Sequence, residues 1–176
     1  MGDDDRQLLV RTHRGHEASA RLLWQRHAPG MLAHAGSILR DRAAAEDAVQ
    51  AVMCRLIALP GGQIRAINDV GAYLAGAVRR EALNQIRSTR RARAREAAAA
   101  TKPLLEEDRS DALREALGRL PRRLREVVVL RHLSDLTFDQ MALAMETNRN
   151  TVASRYRAAV AALQDLLTLE KGAAHA

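Results

Sequence analysis

The run Leu136-Thr-Phe-Asp-Gln-Met-Ala-Leu-Ala-Met-Glu-Thr-Asn-Arg-Asn-Thr-Val-Ala-Ser-Arg-Tyr-Arg157 decides the fold. Thr137 and Gln140 have the spacing of a capping box, in which a hydroxyl satisfies a free amide and the glutamine reaches back to the cap. A helix then runs through Met141-Ala-Leu-Ala-Met145, and after Glu146-Thr147-Asn148 a second begins, capped by Asn148 or Asn150. This spacing predicts a helix-turn-helix with Met141, Met145, Val152 and Tyr156 inside and the small Ala142 where the helices cross. The turn position where glycine is common holds Glu146, so a side chain must be carried where glycine would be easier. In such a motif the first turns of the second helix enter the major groove. Here they would offer Arg149, Asn150, Thr151, Ser154 and Arg155 to base edges and phosphates, with free helix amides beside them. An ordinary helical hairpin with a polar face is the plainer alternative; the caps, the alanine and the basic first turn favour DNA binding.

Upstream of this run the pattern is a helix over residues 111–118, a break at Leu120-Pro121, and a helix over 122–133. The N-terminal half reads as four further helices, roughly 17–28, 30–39, 42–59 and 69–93. In the third, Asp41 is a plausible N-cap, and Ala45, Ala48, Val49, Val52, Leu56 and Leu59 fall on one face. Its opposite face carries Asp47, Gln50 and Cys54, with Glu46 and Arg55 beside them. The fourth, capped by Asp69, would bury Val70, Leu74, Ala77, Val78 and Ile86. Its other face sets Arg80, Asn84, Arg87 and Arg91 in a stripe edged by Arg79 and Arg90. Stacked like charges repel, so the stripe is easiest to explain if a polyanion neutralises it, although an arginine-rich face is often simply solvated.

Between the halves, from Ser88 to about Ser110, large apolar side chains almost vanish, and a basic start gives way to acidic Glu106-Glu107-Asp108. This reads as a helix running out into a flexible linker. The resulting expectation is an all-α chain of two small helical domains: residues 15–95, a linker over 96–110, and residues 111–169.

Composition agrees. Of the 176 residues 47% are hydrophobic but only 2% aromatic, a helix-forming rather than strand-forming balance. The net charge of +7 attracts polyanions, among which nucleic acid is favoured over membrane, because no stretch approaches the ~18 apolar residues of a bilayer span. The first residues lack the order of a secretory signal, and a cytoplasmic, soluble protein is expected without membrane insertion. Of the 28 basic residues only Lys102 and Lys171 are not arginine, which fits bidentate phosphate recognition but also a GC-rich genome. The single Cys54 allows no internal disulfide, and no metal-ligand spacing accompanies it. No cofactor is expected. An enzyme is not expected either: adjacent Glu46 and Asp47 point about 100° apart on a helix, and no nucleophile, base and orienting group can be paired.

Taken together, Ala43-Ala-Ala-Glu46-Asp47-Ala-Val49-Gln50, Leu120-Pro121 through Arg125-Glu126-Val127, and the run opened on above resemble the extracytoplasmic-function group of bacterial RNA polymerase sigma factors. The resemblance spans about residues 15–168. It implies that Glu46, Asp47, Gln50 and Arg55 bind the clamp of core RNA polymerase, whose flap is a further contact. It implies that the loop 61–71, including Asn68, and the stripe of Arg79, Arg80, Asn84, Arg87 and Arg91 capture the melted −10 strand. Arg149, Asn150, Thr151, Ser154, Arg155 and Arg157 would read the −35 duplex, and an anti-sigma factor is an implied partner. The sequence departs from the family pattern at Ala44, Ala51, Met53 and Ile57 on the core-binding helix, at Arg80 and Asn84 on the stripe, and at Asn150 and Ala153 on the reading helix. Only Tyr73 remains for base stacking in the melting region. Two other readings stay open: a helix-turn-helix regulator acting without polymerase, and a sigma-like decoy that binds an anti-sigma factor.

Overall fold

A computed structural model describes residues 2–95 and 112–173, with side chains over 5–91 and 115–168. The linker expected over 96–110 lies outside the described residues. The described chain folds into nine helices and contains no strand: α1 (Gly2–His13), α2 (Glu17–Leu39), α3 (Arg42–Ala58), α4 (Gly61–Ala66), α5 (Val70–Arg95), α6 (Ala112–Arg119), α7 (Arg122–His132), α8 (Phe138–Ala144) and α9 (Arg149–Ala173). The all-α expectation holds.

Three local expectations need correction. Residues 17–39 form one helix, not two, and Pro29 sits inside it; packing on three sides, against α1, α3 and α5, outweighs the missing proline amide. The stretch read as a loop after Pro60 contains α4, whose buried Ile64 fastens it to the core. Leu59 does not join the buried α3 face as a helical residue; it is the extended C-cap. Upstream, α1 supplies Leu8 and Leu9, both buried, to the same core as α2, α3 and α5.

Each half has a hydrophobic cluster of its own. The first gathers Leu23, Met31, Val49, Val52, Leu56, Ile64, Leu74 and Val78; the second gathers Leu120, Val127, Leu130, Met141, Met145, Val152 and Ala159. The two bundles are also packed on one another, α2 against α7 and α5 against α8. Ala75 of α5 belongs to the second cluster, so the seam joins the cores. Backbones approach closely there because glycines line it. A Cβ on Gly30 would lie 2.8 Å from Ser134 Oγ and 2.9 Å from the Leu133 carbonyl, and one on Gly71 would lie 3.2 Å from Leu136.

Candidate nucleic-acid and polymerase interfaces

The α8–α9 pair is built as its sequence requires. Thr137 Oγ1 accepts from the Gln140 amide at 3.3 Å, and Gln140 Oε1 accepts from the Thr137 amide at 2.7 Å, completing the capping box. Asn148, not Asn150, caps α9: its Oδ1 accepts from the Thr151 amide at 2.7 Å. Glu146 takes φ 52°, the left-handed conformation that the missing glycine would have adopted freely. Met141, Met145, Val152 and Ala142 are buried. Tyr156 is half-buried, its hydroxyl 2.8 Å from His132 Nε2 and its ring between those of His132 and Phe138. In the first turns of α9 Val152 enters the core while the opposite side is open to solvent. Arg149, Asn150, Ser154 and Arg157 are exposed, and Thr151 and Arg155 are half-buried. Arg149 pairs with Asp139 at 3.5 Å, an exposed pair worth little and easily exchanged for a phosphate.

On α5 the four-membered stripe of Arg80, Asn84, Arg87 and Arg91 is exposed, as is Asn68 in the preceding loop. Arg87 donates to Asn84 Oδ1 at 3.3 Å. Asp69 caps α5 by accepting from the Ala72 amide at 2.8 Å. The loop is braced from outside, Arg6 of α1 donating to the Arg65 carbonyl at 2.9 Å. Arg79 departs from the stripe: it turns toward α7, where its Nε donates to Glu126 Oε1 at 2.8 Å.

The outer face of α3 carries Glu46, Asp47, Gln50 and Arg55, all exposed, with Cys54 among them. Arg42 donates to Glu46 at 2.9 Å one turn away, and Arg55 reaches Glu81 of α5 at 2.6 Å. Asp41 caps this helix through the Ala44 amide at 2.8 Å.

Three polar surfaces in one chain, an acidic helix face, a basic helix stripe and a helix-turn-helix, can be compared with known proteins. The family description "Sigma-70 region 2" matches residues 23–92, and "Sigma-70, region 4" matches residues 110–163. The chain belongs to the sigma-70 family. It is a sigma factor of the extracytoplasmic-function group, with the region 2 match preceding the region 4 match along the chain. Two of the solved structures that share its fold show the likeness. One is the sigma factor RpoE in complex with the anti-sigma factor NepR from Bartonella quintana, 24% identical, covering 80% of this chain and 91% of that one at a TM-score of 0.65. The other is CnrH in complex with the cytosolic domain of CnrY, 21% identical, covering 94% and 98% at a TM-score of 0.65. No curated protein matches this chain.

In this sigma factor, α2, α3 and α5 are the frame of region 2, and α6 to α9 are region 4. Among the described residues no helix is long and apolar enough to cross a membrane, and no group of three His, Cys, Asp or Glu side chains is placed to hold a metal. Sequence reasoning missed the seam between the regions. His34 of α2, Arg79 of α5 and Glu126 of α7 meet there, His34 Nε2 lying 3.2 Å from the same Glu126 oxygen that Arg79 reaches. Burial pushes the Glu126 carboxyl up, but the hydrogen bond and charge of His34, together with Arg79, more than offset it and leave it below its ordinary value. Beside it, burial and the charges of Arg40 and Arg122 pull the Arg125 guanidinium down, while Glu126 pulls it up. Arg125 donates from Nε to the Ser37 carbonyl at 2.9 Å and from a terminal nitrogen to Gly118 at 3.0 Å. One signal was present: an acid leading into Val127-Val-Val-Leu130 needs a buried partner.

Proposed function

We propose that this sigma factor binds core RNA polymerase and directs it to promoters, region 2 holding the melted −10 strand and region 4 reading the −35 duplex. The observation that carries the reading is the order and exposure of the three surfaces within one chain whose two regions both match the family. Glu46, Asp47 and Arg55 present charge to the polymerase clamp, and Gln50 a neutral amide. Asn68, Arg80, Asn84, Arg87 and Arg91 form a basic track for a single strand, with Arg79 joining it when the regions part. Backbone attraction would dominate such binding and make it steeply dependent on salt. Arg149, Asn150, Thr151, Ser154, Arg155 and Arg157 stand at the start of a helix of groove-reading type.

An apolar cleft of about 390 Å³ between α7 and α9, lined by Val128, Val160, Leu163 and Leu167, suits the flap element of the polymerase. An anti-sigma factor is a second proposed partner, supported by the two similar structures, each a complex with a second protein and one of them with the anti-sigma factor NepR. The protein acts in the cytoplasm, where polymerase and promoters are, and needs no cofactor for this work.

The test is a pull-down of core RNA polymerase with the tagged chain, followed by transcription on genomic DNA fragments with transcript starts mapped. Association with core and discrete starts support the reading. Absence of core binding leaves a polymerase-independent regulator or an anti-sigma decoy in its place.

A further inference from the structure

We propose that the groove between α1 and α4 binds the phosphate backbone of single-stranded DNA, giving region 2 a second basic surface on a helix that precedes the residues its family description matches. The inference extends the reading of this chain as a sigma factor that holds a melted strand, and rests on it.

The surface begins in the sequence. Gln7, Val10, Arg11 and Arg14 follow one another at three- and one-residue steps that keep them on one face at the end of α1. The other side of the helix carries Leu8 and Leu9, both buried in the region 2 core, so α1 is fixed in place. α4 comes alongside it: Ile64 enters the same core, and Arg6 donates to the Arg65 carbonyl at 2.9 Å. Between the two helices lies a groove of about 400 Å³ lined by Arg6, Arg11, Arg14 and Arg65, all four of them exposed. The region 2 match begins only at residue 23, so α1 lies outside it.

These four cations differ from many of the chain's other arginines in what they meet. Arg26 pairs with Asp5, Arg55 with Glu81, Arg79 with Glu126, Arg80 with Glu146 and Arg149 with Asp139. Among the described residues no carboxylate pairs with Arg6, Arg11, Arg14 or Arg65, and the one hydrogen bond their side chains make runs from Arg6 to a carbonyl. Helix ends favour cations, which accounts for Arg11 at the close of α1 and Arg65 at the close of α4. It does not account for Arg6, in the first half of α1, or for the convergence of all four on one groove, where like charges repel. A polyanion seated there removes that repulsion. No aromatic side chain lines the groove, so it offers charge to a backbone and no platform to a base. A groove between two helices also suits one strand better than the broad face of a duplex. Its position fits the track on α5: Arg65 stands three residues before Asn68, and α1 packs against α5 as well as α4.

The experiment uses the full chain and three double variants: Arg11→Ala with Arg14→Ala, Arg11→Lys with Arg14→Lys, and Arg80→Ala with Arg87→Ala. Both α1 positions are exposed and alanine is a good helix former, so circular dichroism should match the wild type. Anisotropy reads binding of a labelled dT25 oligonucleotide, and of a labelled duplex of the same length, between about 0.1 M and 1 M salt. Loss of two phosphate contacts should flatten the slope of log affinity against log salt by about 1.4, which is about 25-fold at 0.1 M and fades toward 1 M. The α1 alanine pair should show that loss on dT25 and less than about a threefold loss on duplex, while the lysine pair, which keeps both charges, holds the wild-type slope. An unchanged slope in the alanine pair, an equal loss on duplex, or a loss of core pull-down with strand binding intact would each overturn the proposal, the last assigning the groove to polymerase. The Arg80 and Arg87 pair separates the readings: if it binds dT25 as the wild type does while the α1 pair is weakened, strand capture by α5 fails and the groove stands.

Discussion

Arg79 and Glu126, on helices from different halves of the chain, share a 2.8 Å hydrogen bond in which the carboxylate is buried and the guanidinium mostly covered. The same carboxylate oxygen faces His34 at 3.2 Å, so one acid on α7 gathers a base from α2 and another from α5. Loss of that one charge therefore acts on both helices at once.

Acid should open the seam. Glu126 in the folded chain titrates below its ordinary value of 4.5, so its contribution is complete above that pH and disappears as pH falls through the lower, folded-state value. Sedimentation velocity from pH 7 into the acid range should show the wild type becoming less compact at the acid end, with helicity by circular dichroism falling later. Glu126→Gln should be expanded already at pH 7 and lack this step. A wild type that stays compact until its helices melt would place the closure elsewhere.

Arg149→Ala should weaken promoter-duplex binding by about 1–3 kcal/mol and relax sequence preference at the base it meets. Arg155→Ala should do the same with an added loss of fold stability, since Arg155 is half-buried and Arg149 is exposed. Competition between specific and random duplex in an anisotropy assay separates the two; full promoter preference in Arg149→Ala would move the reading surface away from the start of α9.

Replacing Arg80 and Arg87 together by alanine should reduce binding of a single strand far more than binding of duplex. Each phosphate contact removed should also flatten the slope of log affinity against log salt by about 0.7. Titration at several salt concentrations measures this directly, and equal losses on strand and duplex would contradict the division of labour.

Met141 is fully buried at the centre of the region 4 core. Met141→Ala should cost about 2–5 kcal/mol. Thr137→Ala, which removes the hydroxyl that caps α8, should cost about 1 kcal/mol. Thermal unfolding should rank the two in that order, and a milder effect of the core change would mean that the cavity collapses on its neighbours.

Most of the region 4 pair was legible because its signals are local. Thr137, Gln140 and Asn148 bond to backbone amides three residues away, and Val152 and Tyr156 lie one turn apart, so their roles follow from helical geometry alone. The exposed stripe on α5 and the acidic face of α3 were legible for the same reason. Pro29 was misread as a break because the packing that holds α2 continuous comes from α1, α3 and α5, distant in sequence. The short α4 escaped notice because six residues carry too little periodicity, and its order depends on Ile64 entering a core built by other helices.

What the sequence determined by itself was therefore the helices with strong caps, the apolar faces, the surfaces of charge and the resemblance to a family, since each depends on residues within a few turns. Only the tertiary structure decided that Arg79 leaves the stripe for Glu126, that His34 and Ser37 on α2 meet α7, and that Gly30 and Gly71 let the halves touch. Those partners stand 47 to 104 residues apart for Arg79 with Glu126 and for Gly30 with Ser134. No periodic pattern reaches across such distances; the pairing of charges at the seam follows from which helix faces the two cores leave uncovered.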